Sequence, residues 1–82
     1  MTIHLFCFLL TGDFSCIREN NYSQGAAFIN HQNVPSASAC MVKCQQDSRC
    51  LSFDFKGTGC NLKDVTLSPK GGAGYFAGPK NC

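Results

Sequence analysis

From residue 50 to 55 the chain reads CLSFDF, with apolar Leu51, Phe53 and Phe55 alternating with polar Ser52 and Asp54. Period-two alternation predicts a half-buried strand, its apolar set on the core face and Ser52 and Asp54 turned to solvent. KGTG (56–59) predicts a turn by its two glycines, and CNLKDV (60–65) the returning strand. A turn over those four positions sets Phe55 opposite Cys60 and Phe53 opposite Leu62, both pairs on the core face. VPSASACMVKCQQDS (34–48) suits a helix of roughly eleven residues. Ser36 follows Pro35, precedes good helix formers and is the expected N-cap, although Ala39 denies it a reciprocal capping box. Cys40 and Cys44, four apart, share one helical face. Fraying is expected around Asp47 and Ser48. Residues 13–34 are polar and rich in Asn and Gln, with GAAFIN (25–30) the one strand expected there. TLSPKGGAG (66–74) reads as a Gly/Pro loop and YFAG (75–78) as a last short strand.

The first dozen residues break this pattern. Ile3, Leu5, Phe6, Cys7, Phe8, Leu9 and Leu10 form an apolar stretch interrupted by His4. A bilayer span needs about 20 apolar residues, whereas the apolar region of a secretory signal needs roughly 7–15. Residues 1–12 are therefore expected to be a signal peptide, cleaved after Gly12, with Leu10 and Gly12 at the two recognition positions. A buried first strand, or the remnant of a longer fragment, is the alternative. The mature domain then spans 13–82, secreted or extracellular, and Asn21-Tyr22-Ser23 becomes an N-glycosylation acceptor at Asn21.

A chain of 82 residues holds one domain. A domain this small buries only about 60% of the surface of its unfolded chain, so staples are expected. Seven cysteines in that length point to a disulfide scaffold in an oxidising compartment. Seven is odd. Loss of residues 1–12 removes Cys7 and leaves Cys16, Cys40, Cys44, Cys50, Cys60 and Cys82, an even set reaching the last residue. A net charge of +2 from scattered lysines and arginines is too small to imply nucleic acid.

Metal and redox roles fit the thiols poorly. Cys40, Cys44, Cys50 and Cys60 are spaced C-x3-C-x5-C-x9-C, whereas structural zinc sites use two tight pairs, often completed by histidines. His4 and His31 stand alone, and no C-x-x-C occurs. No metal or cofactor is implied. A Cys40–Cys44 bridge would strain one regular helical turn. Cys44, near the helix end, can close a short corner with Cys50 at the start of the next strand. Cys40 then reaches the sheet beneath, where Cys60 faces it, and Cys16 and Cys82 join the domain ends. The expected pairing is nested: Cys16–Cys82, Cys40–Cys60 and Cys44–Cys50.

The block from Ser36 to Lys63, S-x-x-x-C-x3-C-x5-C-x-x-F-x-F…C-x-L-K, resembles the PAN/apple domain family. Cys16, Cys82 and the closing GPKNC extend the resemblance over nearly all of 13–82. It implies an α+β fold, a small disulfide-rich domain in which one helix packs across a curved antiparallel sheet. It also implies the same nested bridges, the outer one as in apple-type members. Members are extracellular modules that bind proteins or carbohydrates and are not enzymes. They mostly occur in tandem or beside other domains, so neighbouring domains of a larger protein are expected. Residues 16–36 depart from the family in lacking the apolar patterning usual for its first strands.

The expected function is therefore an extracellular binding or adhesion module for a protein or carbohydrate ligand, with no membrane span in the chain. The family shares no ligand-contacting motif, and fold alone does not name a ligand. Lys56 and Lys63 flank the hairpin, Lys70 and Lys80 lie in later loops, and these four with Tyr75 are the candidate contacts for a sulfated glycan or an acidic protein face. The bland alternative is that they are ordinary solvated lysines, the stem of Lys63 covering Leu62. A catalytic role lacks a base oriented against a nucleophile. His31 lies in a polar segment, Asp47 near a helix end, and Asp54 is expected to alternate to solvent away from Asp64. A secreted toxin or protease inhibitor would carry its epitope on LSPKGGAGYF (67–76), whose glycines suggest mobility rather than a rigid inhibitory loop. A small zinc module is a further alternative, opposed by the spacing.

Overall fold

A computed structural model of the chain describes residues 14–82, so the expected signal segment and Cys7 lie outside the described residues. The elements are β1 (Arg18–Ser23), β2 (Ile29–His31), α1 (Ala37–Gln45), β3 (Ser52–Lys56), β4 (Gly59–Lys63) and β5 (Pro69–Pro79). The strands form one sheet in the order β1-β5-β3-β4-β2, every neighbouring pair antiparallel. The expected α+β architecture of one helix on an antiparallel sheet is present.

Helix α1 starts where its cap dictates. Ser36 is extended, and its hydroxyl accepts a hydrogen bond from Ala39 N at 3.1 Å, satisfying a donor with no partner in the first turn. The helix covers nine residues, shorter than expected, because the chain turns at Asp47 to bring Cys50 back to the sheet. Cys40, Met41 and Cys44 form its buried stripe. Across from them lie Phe53 and Phe55 of β3 and Cys60 and Leu62 of β4, paired Phe55–Cys60 and Phe53–Leu62. Three disulfides lock this core: Cys40–Cys60 ties α1 to β4, Cys44–Cys50 closes the corner after the helix, and Cys16–Cys82 joins the approach to β1 to the last residue, with Cα–Cα separations of 5.4, 5.2 and 5.6 Å respectively.

The alternation in CLSFDF does not give a half-buried strand. β3 is the central strand of the five, and both faces are covered: Ser52, Phe53, Asp54 and Phe55 are all buried. Leu51, expected on the core face, precedes the strand and is 44% exposed. The polar side of β3 is covered because the link from β1 to β2 must travel from one sheet edge to the other. It crosses the face opposite the helix, with Ser23 N donating to Asp54 Oδ2 and Phe28 N to Leu62 O.

Two further expectations are corrected. The strand expected at 25–30 is only Ile29–His31, and the strand in the N-terminal region is instead RENNYS, β1. Residues 69–74, expected in a loop, are the first half of β5. Both segments lack apolar alternation because each has few core contacts of its own. They are held by pairing with one another: Arg18 and Glu19 pair with Ala77 and Phe76, and Asn21, Tyr22 and Ser23 with Gly71, Lys70 and Pro69.

Candidate ligand-binding face

The four candidate lysines separate into two kinds. Lys63 is only 6% exposed. Its Nζ lies 3.0 Å from Asp54 Oδ2 and donates to the carbonyl oxygens of Ser23 and Gly25 at 2.5 and 2.7 Å. An ammonium taken out of water must be paired and fully hydrogen-bonded, and here its three donors all point inward. Lys63 is a clamp on the β1–β2 crossing, neither a surface contact nor a solvated lysine. Lys80 is also engaged, its Nζ donating to Asp47 O at 2.9 Å. Lys56 and Lys70 are exposed.

Asp54 is corrected with Lys63. Rather than facing solvent, it is buried, accepting from Ser23 N through Oδ2 at 3.1 Å and from Asn61 Nδ2 through Oδ1 at 2.8 Å. Asn61 in turn accepts from Asn30, and Asn30 from Gln32, so a line of amides runs from the buried pair to β2. Ser23 and Ser52 close the other side with their hydroxyls 3.3 Å apart. The acidic residues are spread: Asp64 pairs with exposed Arg49, and Asp47 accepts from Arg49 N. Among the described residues no group of three or more His, Cys, Asp or Glu side chains is placed to hold a metal ion. No helix among them is long and apolar enough to cross a membrane.

Lys56 and Lys70 belong to one face with two tyrosines. Lys56 pairs with Tyr75 across β3 and β5, and its Nζ sits 4.9 Å from the centre of the Tyr75 ring, a cation–π contact. The Tyr75 ring is 5.6 Å from that of Tyr22, tilted by 52°. Tyr22 is the cross-strand partner of Lys70, and directly opposed residues share a face. Arg18, opposite Ala77, lies on the same side, because Ala77 is two residues from Tyr75. Phe76, adjacent to Tyr75, turns the other way and packs against the core.

Tyr22 and Arg18 escape a reading of the sequence because they stand in a polar run with no periodicity. The one available signal is the glycine series before Tyr75, which marks close approach as well as a turn. Asn21, the sequon residue, is half-buried in β1 with its amide donating to Glu19 O at 2.9 Å. His31 ends β2 opposite Cys60.

Comparison with known proteins agrees with this architecture. The model of the PAN domain family matches residues 7–81. The solution structure of a PAN module from Eimeria tenella is similar, with a TM-score of 0.64 and 22% sequence identity, covering 85% of this chain and 84% of that one. No curated protein matches the chain. At that identity the structural likeness speaks for the fold alone, while the family match spans nearly the whole sequence. The chain belongs to the PAN domain family.

Proposed function

We propose that this chain is a secreted, non-catalytic module that binds an extracellular protein or glycan through Lys56, Lys70 and Tyr75. PAN domains are in general protein- or carbohydrate-binding modules, and disulfide-bonded PAN domains are typically extracellular. The observation that carries the reading is the Lys56 ammonium resting over the Tyr75 ring, at the end of β3 where the chain is exposed again beyond the buried Asp54. A cation with no carboxylate partner among the described residues, beside an aromatic ring, suits reversible recognition of an anionic or hydroxylated surface. In this reading residues 1–12 direct secretion and are removed, and Asn21 carries an N-glycan. Neighbouring domains of a larger protein add further contacts.

The test uses oxidised, folded protein on arrays of glycans and of extracellular proteins, with wild type, Lys56→Gln/Lys70→Gln and Lys80→Gln compared. Saturable binding that returns the ligand chemically unchanged, and that weakens in the double variant alone, supports the proposal. Conversion of the ligand to a product overturns the non-catalytic assignment. Equal binding by all three proteins overturns the assigned face.

A further inference from the structure

The glycine run of β5 is the floor of a built surface. A Cβ on Gly72 would come within 2.8 Å of Tyr22 Cδ1 and 3.2 Å of Tyr75 Cδ2. Only a residue without a side chain lets the two rings close over the strand. Gly74 has φ of 82°, and a Cβ there would meet Lys56 Cε at 3.5 Å. The register of β1 against β5 shifts between Glu19 and Asn21, so residues 72–75 stand opposite Asn20 alone. Asn20, itself at φ 58°, fixes the irregularity by accepting from Gly74 N at 3.2 Å. In an unbroken strand Tyr75 would lie about 16 Å beyond Lys70 and its partner Tyr22. The bulge folds it back until the rings meet.

Among the described residues the unpaired charges on this face have one sign. Lys56, Lys70 and Arg18 flank the rings. Glu19 pairs with Phe76 and so lies on the opposite side, and the carboxylates of Asp54 and Asp64 are paired with Lys63 and Arg49. The geometry points to an acidic sugar as the ligand: a glycan whose C–H face lies on the Tyr22–Tyr75 shelf while its carboxylate or sulfate meets Lys56 and Lys70. This rests on the binding-module reading above and names its ligand class. The negative ring faces attract the weakly positive C–H bonds of a sugar, and the lysines supply the counter-charge. No large exposed aliphatic side chain accompanies the rings, since Ile29, Leu51 and Val65 all lie outside the shelf, and the poly-glutamate probe below tests an acidic protein partner separately.

The probes are a heparin-derived oligosaccharide, which carries uronate and sulfate, its desulfated and carboxyl-reduced counterpart, and a poly-glutamate peptide. Dissociation constants are measured for wild type, Gly72→Ala, Tyr22→Leu, Lys56→Gln/Lys70→Gln and Lys80→Gln, with folding checked by circular dichroism. The expected result is wild-type binding to the acidic oligosaccharide, about tenfold or more weaker for the neutral one and for each shelf variant. Lys80→Gln behaves as wild type. If Gly72→Ala fails to fold, Tyr22→Leu decides, since it keeps every charge. Wild-type affinity in folded Tyr22→Leu overturns the shelf. Binding of poly-glutamate with the same lysine dependence but no tyrosine dependence overturns the sugar in favour of an acidic protein, and leaves the binding module standing. Failure of folded wild type to bind any oligosaccharide likewise overturns the sugar alone, whereas cleavage of the probe overturns the module reading itself.

Discussion

Lys63 Nζ and Asp54 Oδ2 lie 3.0 Å apart with almost no exposed side chain, and the pair pins the chain crossing the back of the sheet. Because both ions also bond to the backbone of that crossing, loss of one leaves the other charged, buried and short of a partner. Lys63→Met is expected to destabilise the oxidised domain by about 3–5 kcal/mol, as is Asp54→Leu. The double variant should recover much of that loss, since a pair replaced by apolar groups leaves no orphan charge. Denaturant unfolding of the four proteins measures the coupling. Additive losses would show that the two residues act separately.

The exposed ion pair behaves differently. Arg49 reaches Asp64 at 3.1 Å, but both side chains are largely in water. Asp64→Asn should therefore shift stability by no more than about 1 kcal/mol. Arg49→Ala should cost more than Asp64→Asn, because its guanidinium also lies 4.4 Å over the Phe28 ring. The same unfolding measurement ranks the two, and the reverse ranking would assign the contribution to charge.

The disulfides should open in a fixed order. Cys40, Cys44, Cys50 and Cys60 have no exposed surface, whereas Cys82 is exposed and Cys16 partly so. Reduction needs a thiolate or phosphine to reach sulfur, so Cys16–Cys82 should be alkylated first under mild reductant while the inner pairs survive. Its loop of 66 residues makes it worth about 4 kcal/mol in a chain-entropy account. Cys16→Ser/Cys82→Ser should lower the unfolding midpoint and leave the β3–β4 hairpin and α1 folded. Mass spectrometry after partial reduction identifies the order, and early loss of Cys44–Cys50 would contradict it.

The legible parts of the fold are those where local chemistry and burial agree. Ser36 caps α1 because its hydroxyl finds Ala39 N, and the Phe53–Leu62 pairing follows from turn length and period. Those signals are carried by side chains that pack. Polar β1 and glycine-rich β5 carry no such signal, since their order comes from main-chain pairing with each other. Asp54 misleads for a related reason. Alternation predicts which side chains share a face, but not whether that face meets water, and here a crossing chain covers it. Three of the five residues on the candidate face, Lys56, Lys70 and Tyr75, are conspicuous in the sequence, whereas Arg18 stands in a polar run and Tyr22 joins them only through the bulge at Asn20.

The division of the lysines predicts their chemistry with an amine acylating reagent. Acylation requires an accessible, unprotonated Nζ, so a lysine whose ammonium is buried and fully hydrogen-bonded should be protected as long as the domain is folded. Lys63 meets both conditions, with acceptors from Asp54, Ser23 and Gly25 around it. Lys43, Lys56 and Lys70 are exposed and should be labelled early. Lys80, half-buried with one bond to Asp47 O, should fall between. Limited acylation of the oxidised protein followed by peptide mass spectrometry gives the order directly. Lys63 should appear only on the timescale of unfolding, and it should label faster in Asp54→Leu, where the clamp has lost its carboxylate and the domain opens more often. Labelling of Lys63 as fast as Lys70 in the wild type would mean that it lies free at the surface, and would return it to the candidate contacts.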